Sequence, residues 1–127
     1  MSANYRHVPF LGITQYLYNM KTSEKIEKIK AKLVEVSNSK DWKTFIDKQV
    51  MGDCKKISGF VCMYFKVDAV CGTINIGTKD QPNYIVHYWN TIRGIDFDFA
   101  KGTCREVLKR NINDLYKPEI SDQHYYA

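Results

Sequence analysis

The stretch Tyr84-Ile85-Val86-His87-Tyr88-Trp89-Asn90-Thr91-Ile92-Arg93-Gly94-Ile95-Asp96-Phe97-Asp98-Phe99 reads as two strands joined by a short turn. Period-two alternation puts Ile85, His87 and Trp89 on one face of the first strand and Tyr84, Val86, Tyr88 and Asn90 on the other. In the second strand Ile95, Phe97 and Phe99 alternate with Asp96 and Asp98. Taken alone, His87 reads as a core histidine with one nitrogen satisfied, and each aspartate as the polar side of a half-buried strand. The turn decides whether they meet. With a four-residue loop, Thr91 to Gly94, His87 stands directly opposite Asp98. With the two-residue loop Arg93-Gly94, Trp89 faces Asp98 and His87 is its diagonal neighbour, still within reach. A three-residue loop with a bulge after Gly94 reverses the parity. Asp96 shares the face of Asp98 and is the fallback acid.

Upstream, Gly52-Asp53-Cys54 opens an apolar stretch in which Ile57, Phe60, Val61, Tyr64 and Phe65 fit a helix buried on most of its surface, with Gly52 or Asp53 as N-cap. A cysteine in a first helical turn meets unpaired backbone N–H groups and the positive end of the macrodipole, which favour the thiolate, and Lys55 and Lys56 add to the effect. The other reading of Cys54 is a small buried hydrophobe. A thiol, a base that takes its proton and an acid that orients the base make a nucleophilic triad, for which Cys54, His87 and Asp98 are the candidates. The Cys54 backbone N–H is one candidate oxyanion donor and Gln49 a second, against the reading of Gln49 as a polar loop residue. Trp89 and Asn90, flanking on the histidine strand, are supporting candidates.

The remaining chain frames this core. Residues 1 to 20 are apolar and aromatic, with Pro9 and Gly12 breaking any early helix and Ile13 to Met20 leaving room for a short one. Thr22 or Ser23 caps a helix carrying Ile26, Ile29, Leu33 and Val36, and Asp41 to Lys48 forms a second, with Trp42, Phe45 and Ile46 on one side. Val70 to Gly77 reads as a strand, and Thr78 to Asn83 as a polar turn into Tyr84. Thr103 with Glu106 is a capping box for a last helix carrying Cys104, Val107, Leu108, Ile112 and Leu115. The expected organisation is one α+β domain over residues 1–127. It comprises a helical N-terminal part (1–50), a Cys-His-Asp core (51–100) whose central helix packs on an antiparallel meander, and a C-terminal helix and tail (101–127).

Composition narrows the function. The net charge of +5 invites a nucleic-acid partner, but the lysines between Lys21 and Lys56 are mixed with Glu24, Glu27, Glu35, Asp41 and Asp47, as on a solvated helix face. No helix-turn-helix signal, aromatic RNA-binding motif or arginine-rich arm accompanies them. No apolar run reaches membrane-spanning length and the start has no signal-peptide core, so a cytoplasmic protein is expected. Cys54, Cys62, Cys71 and Cys104 form no CxxC pair and no zinc spacing, so they are expected as free thiols, the last three as buried hydrophobes, with no metal or cofactor implied.

Gly-x-Cys opening a buried helix, a strand His-Tyr-Trp-Asn, then a glycine and an apolar-Asp-apolar strand resemble the transglutaminase-like proteins of the papain-like cysteine hydrolase fold. Within that group the pattern is similar to the small bacterial and phage proteins called YunG-like, over roughly residues 52–100. The resemblance implies Cys54 as nucleophile, His87 as general base and Asp98 as orienting acid. It also implies helices packed on an antiparallel sheet, and acyl transfer through a thioester on a protein or peptide substrate by hydrolysis, deamidation or amine transfer. Lys55 and Lys56 replace the small residues that usually follow the cysteine, and Ala100 replaces a threonine after the acid. Two other readings remain: a catalytically inactive binding module on the same fold, and a small basic partner- or nucleic-acid-binding protein.

Overall fold

The computed structural model describes residues 20–78, 80–104 and 124–126. Three helices, α1 (Thr22–Val36), α2 (Trp42–Lys48) and α3 (Asp53–Phe65), precede the strands β1 (Asp68–Asn75), β2 (Tyr84–Ile92) and β3 (Ile95–Asp98). A single 3-10 turn (Lys101–Cys104) and the short β4 (His124–Tyr126) follow. The class is α+β. The expected helices over 13–20 and beyond Cys104 lie outside the described residues.

Local chemistry sets the helix ends. Asp41 caps α2 by accepting the Thr44 N–H at 2.8 Å. Gly52 caps α3 with φ 97°, a left-handed conformation that costs glycine nothing, and Asp53 folds its carboxylate back onto the Val50 N–H at 3.0 Å. α1 begins one residue earlier than its Thr/Ser signal suggests. Its N-cap is Lys21, which makes no side-chain cap.

Each helix buries only one face, because the sheet and the neighbouring helices cover only one. In α3 this face is Cys54, Ile57, Ser58, Val61 and Phe65, at helical spacing. Tyr64, expected inside, is half exposed. It stacks on Phe60 with ring centroids 5.6 Å apart and lies under the Lys32 ammonium. α1 buries Ile29 and Leu33 as expected, but Val36 is 53% exposed and Lys25 is buried instead, one residue from the apolar Ile26.

The sheet order is β1-β2-β3-β4. β1 and β2 pair antiparallel from Asp68↔Thr91 to Asn75↔Tyr84, and β2 and β3 pair antiparallel from Asn90↔Phe97 to Ile92↔Ile95. The joining loop is therefore the two residues Arg93-Gly94, both at positive φ (53° and 80°), the primed turn whose twist matches the strands it joins. β4, from a tail too short and mixed to assign by pattern, lies parallel to β3 with Asp98 beside Tyr126.

The main core, with Ile29, Leu33, Phe45, Ile57, Val61, Phe65, Ile92, Phe97 and Phe99, lies between helices and sheet. A smaller cluster of Ile74, Ile76 and Cys104, with Ile85 and Trp89 against it, gathers residues of His87's own face of β2. Asn90 points the other way. Its amide donates to the Ser58 carbonyl of α3 at 3.0 Å and to the Asp68 carbonyl at 3.2 Å, tying helix to strand just where Cys54 must be positioned.

Candidate active site

The two-residue turn makes His87 and Asp98 diagonal neighbours on one sheet face. Continuing the β2–β3 register by one pair sets Trp89 opposite Asp98. The His87 Nε2 and Asp98 Oδ2 lie 2.8 Å apart, with the side chains 1% and 0% exposed. The other carboxylate oxygen, Oδ1, accepts the Ala100 N–H at 2.8 Å, so both oxygens of Asp98 are held. The Trp89 ring stacks on the imidazole, with centroids 6.1 Å apart and planes at 28°. Asp96 sits two residues back, beside Thr91 on β2 and His124 on β4, and it is Asp98 that receives the histidine.

With Nε2 held by Asp98, the nitrogen left for a sulfur is Nδ1. Cys54 lies in the first turn of α3, 7% exposed and close to His87, the Tyr88 backbone and the Thr103 side chain. Burial pushes its thiol up, but the interaction with His87 and its charge, with those two weaker neighbours, outweigh it and bring the thiol below its ordinary value. Burial likewise pushes His87 down. The bond to Asp98 and its charge, with the sulfurs of Cys104 and Cys54, outweigh it and raise the imidazole to about 12. At neutral pH the imidazole thus keeps its proton beside the Asp98 carboxylate, next to a thiol more acidic than an ordinary one.

The raised histidine carries a stability signature. Its proton is bound in the folded chain far above the ~6.5 of a free imidazole, so the stabilisation is complete below that pH and declines as pH rises toward the folded value. In Cys54→Ala, where no thiol titrates against the imidazole, unfolding free energy is expected to fall between pH 7 and 9 by up to about 1.4 kcal/mol per pH unit. Urea midpoints across that range check it, and His87→Ala should flatten the slope. A slope unchanged by that substitution would contradict the ion pair.

A second thiol shares the histidine. Cys104 is fully buried, with Sγ 3.9 Å from His87 Nδ1 and 3.9 Å from Thr103 Oγ1. Cys104→Ala is expected to cost about 1–2 kcal/mol as a small core deletion. Because it leaves Nδ1 to Cys54 alone, the Cys54 thiol should become more acidic, read by iodoacetamide labelling against pH. Loss of the reactive thiol in this variant would make Cys104 the nucleophile instead.

Gln49 caps α2, is buried, and donates its amide N–H to the Phe99 carbonyl at 3.1 Å. This is a brace on the chain just past Asp98 and not the free oxyanion donor the sequence suggested. The Cys54 N–H, in the first helical turn where no intrahelical acceptor exists, keeps its oxyanion candidacy. Lys101, also buried, is pushed down by desolvation and up by the Asp98 charge. Cys71, expected inside, is exposed on β1, where it pairs with Tyr88 across the strands. All four cysteines are free thiols. Sequence reasoning missed Thr103, Cys104 and Lys101, because the 3-10 turn that carries them in is not written in any periodic pattern.

No family model, curated protein or solved structure matches this chain. No described helix is long and apolar enough to cross a membrane.

Proposed function

We propose that the chain is a cysteine-dependent acyl-transfer enzyme with a papain-like, transglutaminase-like core, acting on an amide of a protein or peptide in the cytoplasm. The observation that carries this reading is the buried His87–Asp98 pair, 2.8 Å apart, whose remaining ring nitrogen lies 3.9 Å from the Cys104 sulfur and acts on the Cys54 thiol. A structural ion pair alone does not need a thiol held at a helix N-terminus beside it.

The Cys54 thiolate attacks the amide carbon: the C–S bond forms and the carbonyl electron pair moves to oxygen, toward the Cys54 N–H. As the C–N bond breaks, His87 gives its Nδ1 proton to the departing amine, leaving a thioester on Cys54. Asp98 keeps Nε2–H in place throughout and steadies the imidazolium. Water activated by the now neutral His87 completes hydrolysis or deamidation, and an amine entering the same position completes transfer. A cavity of about 220 Å³ lined by Phe45, Lys48, Gln49, Asp53, Lys56 and Ile57 lies beside the first turn of α3.

The test is acylation by p-nitrophenyl acetate. The expected result is a burst of about one equivalent of nitrophenolate, with the acetyl group on Cys54 by peptide mass and no burst in His87→Ala. Acetyl spread evenly over Cys54, Cys62 and Cys71 would overturn the proposal. The burial of Cys54 favours one competing reading, a binding module in which the ion pair is purely structural, and that reading predicts no burst.

A further inference from the structure

At the far end of α3 from Cys54, a cavity of about 520 Å³ is lined by Lys25, Lys66, Val67, Asp68, Thr91, Ile92 and Arg93. α3 spans 13 residues, so about 18 Å of helix separates this cavity from the thiol. Three cationic side chains face one carboxylate there. Lys25 is 6% exposed, yet its ammonium has no hydrogen-bond or ion-pair partner among the described residues. The preceding segment, residues 1–19, contains no Asp or Glu that could serve as one.

A second positive group has been brought against it. Arg93 takes the left-handed first position of the β2–β3 turn, with φ 53°, a conformation uncommon in residues other than glycine. From there it reaches across to α1, donating Nη1–H to Thr22 Oγ1 at 2.7 Å and Nη2–H to the Met20 carbonyl at 2.6 Å. These bonds hold the guanidinium against the start of a 15-residue helix whose N-cap, Lys21, makes no side-chain cap. The guanidinium and the Lys25 ammonium thus line one cavity with Lys66 and a single acid, Asp68. Burial, and after it the Arg93 charge, push the Lys25 ammonium below its ordinary value. Like charges gathered around a cavity that offers them one carboxylate are the arrangement an anion completes.

We propose that this cavity binds a phosphate group, free or as a monoester, with the Lys25 ammonium at its base and Lys66 and Arg93 around it. A phosphate dianion matches the excess of positive charge in the lining and offers more acceptor oxygens than a carboxylate. Thr91 supplies a further hydroxyl to the lining. The site is independent of the thiol chemistry.

The full chain in chloride buffer, free of phosphate and sulfate, is titrated with inorganic phosphate by calorimetry and thermal melting. The expected result is one saturable site with a rising melting temperature. Lys25→Met should weaken binding at least tenfold. It should also raise the melting temperature in phosphate-free buffer, because it removes a charge that Arg93 repels, while Cys54 labelling stays unchanged. Lys66→Gln, an exposed change that leaves the fold intact, should weaken binding several-fold and serves where Lys25→Met fails to fold. A nucleoside monophosphate titrated in parallel separates the two sources: tighter binding than phosphate assigns the site to an ester, weaker binding to the free ion. A response that chloride reproduces at equal ionic strength, or binding unaltered in both variants, would overturn the proposal.

Discussion

Asp98→Ala is expected to destabilise the chain by about 3–5 kcal/mol, because it leaves an imidazolium buried without its counter-charge. The site offers no escape through solvent: the His87 side chain is 1% exposed and Trp89 is stacked on its ring. Deleting the carboxylate also frees the Ala100 N–H that Oδ1 accepted, at the point where β3 ends and the chain bends into the 3-10 turn. Against the 5–15 kcal/mol of a typical domain, such a loss unfolds much of the protein at ambient temperature. Asp98→Asn keeps the shape and one acceptor and should cost less, while still moving the Cys54 thiol up. Urea unfolding of both variants checks this, and a loss below about 1 kcal/mol in Asp98→Ala would mean that the pair is not the buried ion pair described.

Gly102→Ala is expected to cost about 2–3 kcal/mol through overpacking. A Cβ at this position would collide with the Ile46 carbonyl oxygen and stand 2.9 Å from Gln49 Oε1, and neither can retreat easily. The carbonyl is the backbone at the end of α2, and the Gln49 side chain is held by its bond to Phe99. The 3-10 turn must therefore shift, carrying Thr103 and Cys104 away from Cys54 and His87, so labelling of Cys54 should slow as well. Gly59→Ala is the control: a Cβ there meets nothing within 4 Å, and the helix gains up to about 1 kcal/mol in propensity. Equal melting temperatures for the two variants would contradict the close approach of the turn to α2.

Much of the architecture could be read from alternation and punctuation. Hydrophobic period two located β2 and β3, and parity alone put His87 and Asp98 on one face under two of the three loop lengths considered. The observed Arg93-Gly94 turn is one of those two, so the choice of Asp98 over Asp96 followed from register. Other features depend on where the chain goes after an element ends, and no local pattern records that. Cys71 follows a strand pattern, but its side of β1 is exposed, and Lys25 sits in a polar helix stretch yet is buried against the β2–β3 turn. By its spacing Cys104 reads as a core thiol on an apolar helix face. It is buried as expected, but the 3-10 turn carries it to His87 Nδ1. Gln49 illustrates the same limit: its position five residues before Cys54 suggested an oxyanion donor, whereas its carboxamide is turned to a carbonyl 50 residues away.

The Cys54 thiol owes its added acidity to the proton that His87 and Asp98 hold beside it. Iodoacetamide labelling of the native protein against pH, resolved by peptide mass, measures this directly. Cys54 should label with an apparent pKa well below the ~8.5 of a free cysteine, while exposed Cys71 labels near that ordinary value, and His87→Ala should move Cys54 up toward it. A Cys54 profile that matches Cys71 in the native protein, or one that His87→Ala leaves in place, would contradict the account.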